Sequence, residues 1–353
     1  MIVFIGPTHG VTTGQSTSLI NLINNYKKKY ISLNTNFEGK NIILKFKLLY
    51  QLYIQANKIS RRPKTVYLSI KRSFFGLLSD YIILKKFILF NPKIVIHIHG
   101  MDLNLEKRSY IFKRVFKKIW NKSNVIIILS KKIIKEFHSL NKKDIYIINN
   151  YSEKMITRIA LNKKISSFTS KPLKILYLSN LIYSKGVIDV IDAINILNTE
   201  YMNIELTLVG QILGDNFFSK KKLSDIIHQK LNKKIFLKGA MSGKKKWKLL
   251  EKSHILILPT FYKSEFQPIS IIEGMSFGCL IISTDHGAIL ESFGKNNLLL
   301  VKKNNPQSIQ KLIIKILNKP ELFKKNIINA YRLVQNKFRM KTINENIYKI
   351  LDH

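Results

Sequence analysis

Residues 254–284 read HILILPTFYKSEFQPISIIEGMSFGCLIIST. Two largely apolar runs, His254–Leu258 and Leu280–Ser283, bracket a loop and a short helical stretch. A strand without polar alternation is buried on both faces, as in a parallel sheet covered by helices. Strand, helix, strand in that order is a βαβ unit, and repeated units of this kind build doubly wound α/β domains. The pattern continues in both directions. Strand character recurs at Met1–Ile5, Thr65–Ser69, Lys93–Ile98, Asn124–Leu129 and Ile145–Ile148. A second set follows at Leu173–Leu178, Ile204–Val209, Ile235–Leu237 and Leu298–Val301. Helical patterns lie between them at Thr17–Lys29, Val187–Leu197, Lys244–Lys252 and Pro306–Leu317.

The chain has 353 residues, of which 46% are hydrophobic. That is material for roughly two packed domains and excludes a disordered chain or a disulfide mini-scaffold. The polar, Ser-rich stretch within Leu161–Lys171, followed by Pro172 and a fresh strand, marks the boundary. The expected domains are residues 1–165 and 170–337. The single cysteine, Cys279, allows no intrachain disulfide and suits a reducing cytoplasm. Ile2-Val3-Phe4-Ile5 follows Met1 directly and reads as a first strand rather than a signal peptide. Apolar runs such as Tyr81–Leu84 and Phe87–Phe90 are broken by lysines, well short of the roughly 18 residues a membrane span needs.

Charge sets the chain apart. Sixty Lys and Arg stand against 21 Asp and Glu, a net +39. The first 170 residues carry 31 basic and 7 acidic residues, the remainder 29 and 14. Such a surface attracts polyanions: nucleic acid, anionic lipid or phosphorylated ligands. The Lys-, Asn- and Ile-rich composition, typical of AT-rich coding sequence, accounts for part of the lysine excess but less well for the shortage of acids.

Four loops that follow strands carry candidate chemistry. The first, Gly6-Pro7-Thr8-His9-Gly10-Val11-Thr12-Thr13-Gly14-Gln15-Ser16, is Gly-rich and opens a helix, so its amides suit a phosphate; a plain Gly-rich turn reads the same. It is neither a P-loop nor a dinucleotide fingerprint. The second is Ile94-Val95-Ile96-His97-Ile98-His99-Gly100, with both histidines on one face and His99 at the strand end. Only Asp102 could join them as a metal ligand, so no metal site is expected, and His97 reads as a core histidine. The third runs from Leu178 through Ser179-Asn180 to Lys185-Gly186. A lysine opening a helix opposes the helix dipole and makes sense beside a bound anion; a solvated lysine is the alternative. The fourth is the opening stretch itself, where Glu265 in the loop and Glu273 in the helix stand eight apart. Carboxylates there can accept hydrogen bonds from sugar or ribose hydroxyls, and the amides of Phe266 and Gln267 can hold a phosphate.

Taken in order, these segments resemble the retaining family-4 glycosyltransferases of the GT-B fold over nearly the whole chain. The Glu-x7-Glu block is the specific element and looks like that family's nucleotide-sugar signature. The resemblance implies two Rossmann-like doubly wound domains facing each other across a cleft, with a C-terminal helix, about 338–353, packing back on the first. It implies that Gly14 and Gln15 approach the donor diphosphate and that His99 sits near the donor sugar. It further implies that Lys185 neutralises the leaving group, that Glu265 binds sugar hydroxyls and that Glu273 binds ribose. Phe266 and Gln267 would contribute amides. The family's Gly-Arg pair is replaced by Ser179-Asn180. Asn180 can bond phosphate without bringing charge, and Lys263 is a candidate second cation. No Asp-x-Asp is present, and no metal or other cofactor is expected. The donor expected from the resemblance is a UDP-sugar.

In this fold the N-terminal domain generally holds the acceptor. Residues 107–122 alternate basic with apolar pairs: Arg108, Lys113, Arg114, Lys117 and Lys118 flank Ile111, Val115, Phe116, Ile119 and Trp120. Basic amphipathic helices lie on anionic membranes, although a helix packing on its own sheet has the same pattern. Arg61–Arg72 with Phe74 and Phe75 is a second candidate. The expectation is a peripheral enzyme on the inner face of a bacterial cytoplasmic membrane. It would extend a lipid-linked glycan for capsule, O-antigen or exopolysaccharide. A basic nucleic-acid-binding protein, a GT-B-like scaffold without activity and a transferase acting on a soluble acceptor are the rivals. No nucleic-acid module is recognisable.

Overall fold

In the computed structural model, which describes residues 1–9, 14–37, 40–100, 105–137, 140, 141, 143–169, 172–200 and 203–352, every paired strand is parallel to its neighbour. The chain divides into two units, Met1–Asn150 with Lys341–His353, and Tyr151–Met340.

The first unit alternates β1 (Ile2–Gly6), α1 (Gly14–Asn24), β2 (Tyr30–Asn34), α2 (Ile42–Asn57), β3 (Thr65–Ser69), α3 (Phe74–Ile88), β4 (Lys93–Ile98), α4 (Tyr110–Lys122), β5 (Val125–Ile128) and β6 (Asp144–Ile147). Its sheet runs β2-β1-β3-β4-β5-β6. β1, β3 and β5 are buried throughout, which accounts for their largely apolar sequences. Serine and asparagine cap the helices that enter from loops: Asn41 accepts from the Leu44 amide and Ser73 from that of Gly76.

The second unit holds α5 (Arg158–Ser166), β7 (Leu173–Leu178), α6 (Val187–Thr199), β8 (Ile204–Val209), α7 (Lys220–Lys230), β9 (Ile235–Leu237), α8 (Gly243–Lys252), β10 (Ile255–Leu258), α9 (Ile269–Ser276), β11 (Leu280–Ser283), α10 (Ile289–Phe293), β12 (Leu299–Leu300), α11 (Pro306–Asn318) and α12 (Lys324–Lys337). Its sheet runs β12-β11-β10-β7-β8-β9 around a large aliphatic core.

The last helix, α13 (Met340–Asp352), belongs to the first unit. Its Leu351 carbonyl accepts from the Thr65 hydroxyl at 2.8 Å, its Ile350 carbonyl from Lys93 Nζ at 2.7 Å, and its Asp352 pairs with Lys28 at 2.7 Å.

Three features differ from the sequence reading. The division falls at Asn150, earlier than the Ser-rich stretch, because α5 is tied to the second unit. Lys164 in α5 is buried and donates to the carbonyls of Leu250 and Phe277, both at 2.7 Å. The strand β2 was not expected: it is an edge strand, half-exposed, without an apolar run. The third is α4. Phe112, Phe116, Ile119 and Trp120 are buried, and Trp120 Nε1 donates to the Asn141 carbonyl at 2.9 Å. Of the stripe read as a membrane or acceptor face, Phe116, Ile119 and Trp120 face the core, Val115 is half-buried and Ile111 stays exposed, so Trp120 is unavailable to either partner. Lys113, Arg114, Lys117 and Lys118 remain exposed, and Arg108 lies over the Phe112 ring at 4.7 Å.

Candidate functional site

Each sheet reverses its strand order once, between β1 and β3 in the first unit and between β7 and β10 in the second. In open parallel sheets, ligands bind beyond the carboxyl ends of the strands at such a switch point. The candidate residues cluster there.

In the second unit, the segment after β7 carries Lys185 and the segment after β10 carries Glu265. Lys185 Nζ lies 3.0 Å from Glu265 Oε2 and 3.0 Å from Ser179 Oγ, with the Tyr262 ring centroid at 5.3 Å. The approach to Glu265 is close but poorly aligned, so Oε2 forms an ion pair without a hydrogen bond. Two backbone contacts hold the pair together. Gly186 has φ 76°, and a Cβ there would meet the Pro259 carbonyl oxygen at 2.5 Å. Gly287 has φ 59°, and a Cβ would meet the Glu265 carbonyl oxygen at 2.2 Å. Only glycine lets these loops approach so closely. The Tyr177 hydroxyl, kept protonated by burial and by the charge of Glu265, donates to the Lys185 carbonyl at 3.2 Å.

Asp215 secures the turn before Lys185. Its carboxylate accepts from the Ser184 amide and hydroxyl at 2.9 and 2.7 Å, and from the amides of Phe217 and Phe218 at 2.9 and 3.0 Å. Burial alone would raise its pKa, but these hydrogen bonds outweigh it and hold the carboxyl below its usual value. Tyr183, packed on Phe217, Phe218 and Phe261, completes the support. Helices α6 and α9 start at this edge with no side-chain cap, unlike α7 and α11, which leaves their N-terminal amides to a ligand.

Glu273, in α9, is buried and paired with Lys246 Nζ of α8 at 2.5 Å. Burial raises the Glu273 pKa and the Lys246 charge opposes that rise. Phe266 and Gln267 are buried: the Phe266 carbonyl accepts from the Ala288 amide and Gln267 Nε2 donates to Ser292 Oγ at 3.1 Å. Their side chains serve the fold, so any ligand contact falls to their amides. Asn180 is half-buried at the β7 end, and Lys263 is exposed.

In the first unit, Gly14 opens α1, while Gly10–Thr13 of the Gly-rich loop lie outside the described residues. Gln15 Nε2 is engaged with Ser69 Oγ at 2.9 Å and with the carbonyls of Ser69 and Ile70, both at 3.2 Å. His97 Nδ1 is 2.5 Å from the Tyr67 hydroxyl, and its ring stacks on His99 at 3.8 Å. Among the described residues, neither ring nitrogen of His99 has a partner although both are buried. Such a group costs about 1–3 kcal/mol unless a ligand satisfies it. Asp102, the third candidate metal ligand, lies outside the described residues, which contain no cluster of three or more His, Cys, Asp or Glu.

Burial, and then the charge of Arg72, lower the His99 pKa to about 3. An unfolded histidine titrates near 6.5. Between those values the unfolded chain binds the extra proton, so this contribution to stability is complete above pH ~6.5 and declines as the pH falls. We expect wild type to lose thermal stability relative to His99→Gln as the pH drops from 7 to 4. Parallel pH profiles would show that His99 titrates normally.

Lys246, Asp215 and Gly287 were missed by the sequence reading, and only Gly287 had a local cue, its place in a polar loop on the same edge. Lys246→Met removes the counter-charge of a buried carboxylate. We expect Glu273 to take up a proton and donor affinity to fall about tenfold, with Lys246→Arg recovering part of it. Calorimetric titration with donor checks this; unchanged affinity in the methionine variant contradicts it.

Residues 159–333, all within the second unit, match the family model described as Glycosyl transferases group 1. An uncharacterised glycosyltransferase of Methanocaldococcus jannaschii is 28% identical over 295 residues, 80% of this chain and 73% of the relative. The putative teichuronic acid biosynthesis glycosyltransferase TuaC of Bacillus subtilis is 22% identical over 69% of this chain and 60% of its own length. The crystal structure of Anabaena HepE with UDP-glucose has a TM-score of 0.76 at 16% identity, covering 100% of this chain and 99% of HepE. Two parallel-sheet Rossmann-like halves of this kind define the GT-B glycosyltransferase fold. Residues 159–333 are thus similar to the group 1 glycosyltransferases, and both halves of the chain have the fold of GT-B structures.

Proposed function

We propose that this chain is a retaining, family-4 type glycosyltransferase. It moves a sugar from a UDP-sugar to a lipid-linked glycan, without a metal ion, in bacterial surface polysaccharide synthesis on the cytoplasmic face of the membrane. The observation that carries the reading is the Lys185–Glu265 pair at 3.0 Å on the β7/β10 switch point. The relative annotated for teichuronic acid synthesis and the UDP-glucose complex of HepE support the choice of pathway class and donor.

In this reading the donor diphosphate lies against Lys185 and the uncapped start of α9. Positive charge fixed there stabilises the leaving group most as its charge develops. Glu265 accepts from hydroxyls of the transferred sugar, and its ion pair with Lys185 opens to admit the ligand. Glu273, held by Lys246, accepts from ribose hydroxyls. Asn180 bonds phosphate without charge, with Lys263 as the candidate second cation. On the first unit, Gly14 and Gln15 offer amides that suit a phosphate, and the neutral His99 offers a buried ring nitrogen to a ligand hydroxyl. The acceptor hydroxyl attacks on the face the leaving group departs from and passes its proton to the departing phosphate.

The test uses UDP-sugar, a lipid-linked oligosaccharide extract and EDTA, with the product anomer read by NMR. We expect product with the donor's anomeric configuration. Inversion contradicts the retaining assignment, and activity that appears only on adding Mg²⁺ or Mn²⁺ contradicts metal independence.

A further inference from the structure

Helix α2 has two apolar faces, and the first unit covers only one. Leu49, Leu52 and Ala56 are buried, where the helix packs on α3 and β2. Ile42, Ile43, Phe46, Tyr50, Tyr53 and Ile54 are 57%, 77%, 57%, 66%, 43% and 38% exposed. At about 100° per residue, these six fall within an arc of about 120° beside the buried face. Lys47, Gln51 and Gln55, all exposed, border the arc on the other side, and the exposed Asn57 lies within it near the C-terminal end. Phe46 meets its neighbour Phe75 edge-on at 5.3 Å. A contiguous apolar patch of this kind on a water-facing helix marks an interaction surface.

The charge around the patch identifies what covers it. From Lys40 to Ser79 there are nine Lys or Arg and no Asp or Glu. Two copies of this chain meeting symmetrically through α2 would set Lys45 and Lys47 against their own kind, with no acid in the segment to pair them. Nucleic acid would engage the cations but leave the isoleucines uncovered. A surface with anionic headgroups over hydrocarbon satisfies both sets at once. Among the described residues no helix is long and apolar enough to cross a membrane, so the contact is interfacial.

We propose that α2, and not α4, is the face by which this chain lies on an anionic lipid bilayer. The six exposed side chains seat at the headgroup–acyl boundary, and Lys47, Arg61 and Arg62 meet lipid phosphates. On α4, Phe112, Phe116, Ile119 and Trp120 are spent on the core, which leaves Tyr110 and Ile111, 74% and 59% exposed, as a smaller apolar surface beside its lysines. The proposal rests on the lipid-linked reading above only for its purpose, which is to bring the first unit to an acceptor held in the membrane.

The test is co-sedimentation of the full chain with vesicles of phosphatidylglycerol and phosphatidylcholine, and of phosphatidylcholine alone. The variants are Ile43→Ser/Phe46→Ser and Lys113→Gln/Lys117→Gln. We expect wild type to bind anionic vesicles, less tightly at high salt, and the α2 double variant to lose about tenfold or more in partitioning. Both substituted side chains are exposed, so the variant should keep its thermal midpoint and its response to donor. Equal binding by the α2 variant overturns the proposal, as does a loss confined to the α4 variant. A change from dimer to monomer in the α2 variant with vesicle binding intact also overturns it and assigns the face to a second copy. Vesicle binding through α2 in a chain that ignores every nucleotide sugar would uphold this surface and count against the donor assignment.

Discussion

Lys185→Ala should lower kcat by about 10²–10³-fold while donor KM stays within a few-fold. The asymmetry follows from when the charge is needed. In the free protein Lys185 is matched by Glu265 at 3.0 Å, so part of its charge is neutralised before the reaction. In the proposed reading a bound sugar engages Glu265, and the ammonium then faces a diphosphate whose negative charge grows as the glycosidic bond breaks. An interaction strengthened in the transition state appears in kcat rather than KM. Lys185→Arg is expected to recover little, because a planar guanidinium does not fit a site built by Ser179 Oγ and the Tyr262 ring around a compact ammonium. Steady-state kinetics, with thermal melts confirming folding, decide the matter. An unchanged kcat removes Lys185 from the leaving-group role.

The second large effect concerns stability. Asp80 in α3 is fully buried, and its carboxylate accepts from Lys71 Nζ at 2.9 Å and from the Lys71 amide at 2.8 Å. Burial pushes its pKa up and Lys71 pulls against that push. Asp80→Ala leaves a largely buried ammonium without this counter-charge and an amide without its acceptor. Breaking one side of a buried pair costs about 3–5 kcal/mol. For a unit of this size that lowers its melting midpoint on the order of 10 °C. Asp80→Asn, which keeps the size and one acceptor oxygen, should lose less. Calorimetry resolves the unfolding of the first unit, and a midpoint unchanged in Asp80→Ala would contradict the assigned role. The pair also tethers the segment carrying Arg72, whose charge helps keep His99 neutral.

Much of the fold was legible because two-sided burial leaves an unmistakable sequence. Thr65–Ser69 and Leu173–Leu178 are mostly apolar, and Ile204–Val209 alternates apolar with polar residues; all three strands match the expected bounds. β2 was hidden because an edge strand exposed on several residues needs no apolar run. α2 was hidden for the opposite reason: apolar residues on adjoining buried and exposed faces leave no clean amphipathic signal. For α4 the period was right and the partner was not, since a helix facing its own core has the same pattern as one facing lipid. In the site, spacing singled out Lys185, Glu265 and Glu273. Lys246 could not be found, because it stands among Lys244, Lys245 and Lys248, and only the fold turns one of them toward a buried carboxylate.

The most direct test of the account is a panel of UDP-, GDP- and ADP-sugars, without metal, scored for thermal stabilisation and slow donor hydrolysis in wild type and Glu265→Ala. We expect one UDP-sugar to stabilise the wild type and be hydrolysed, with both effects lost in the variant. A folded wild type that responds to none of them would contradict the claim that this edge of the second sheet binds a sugar nucleotide.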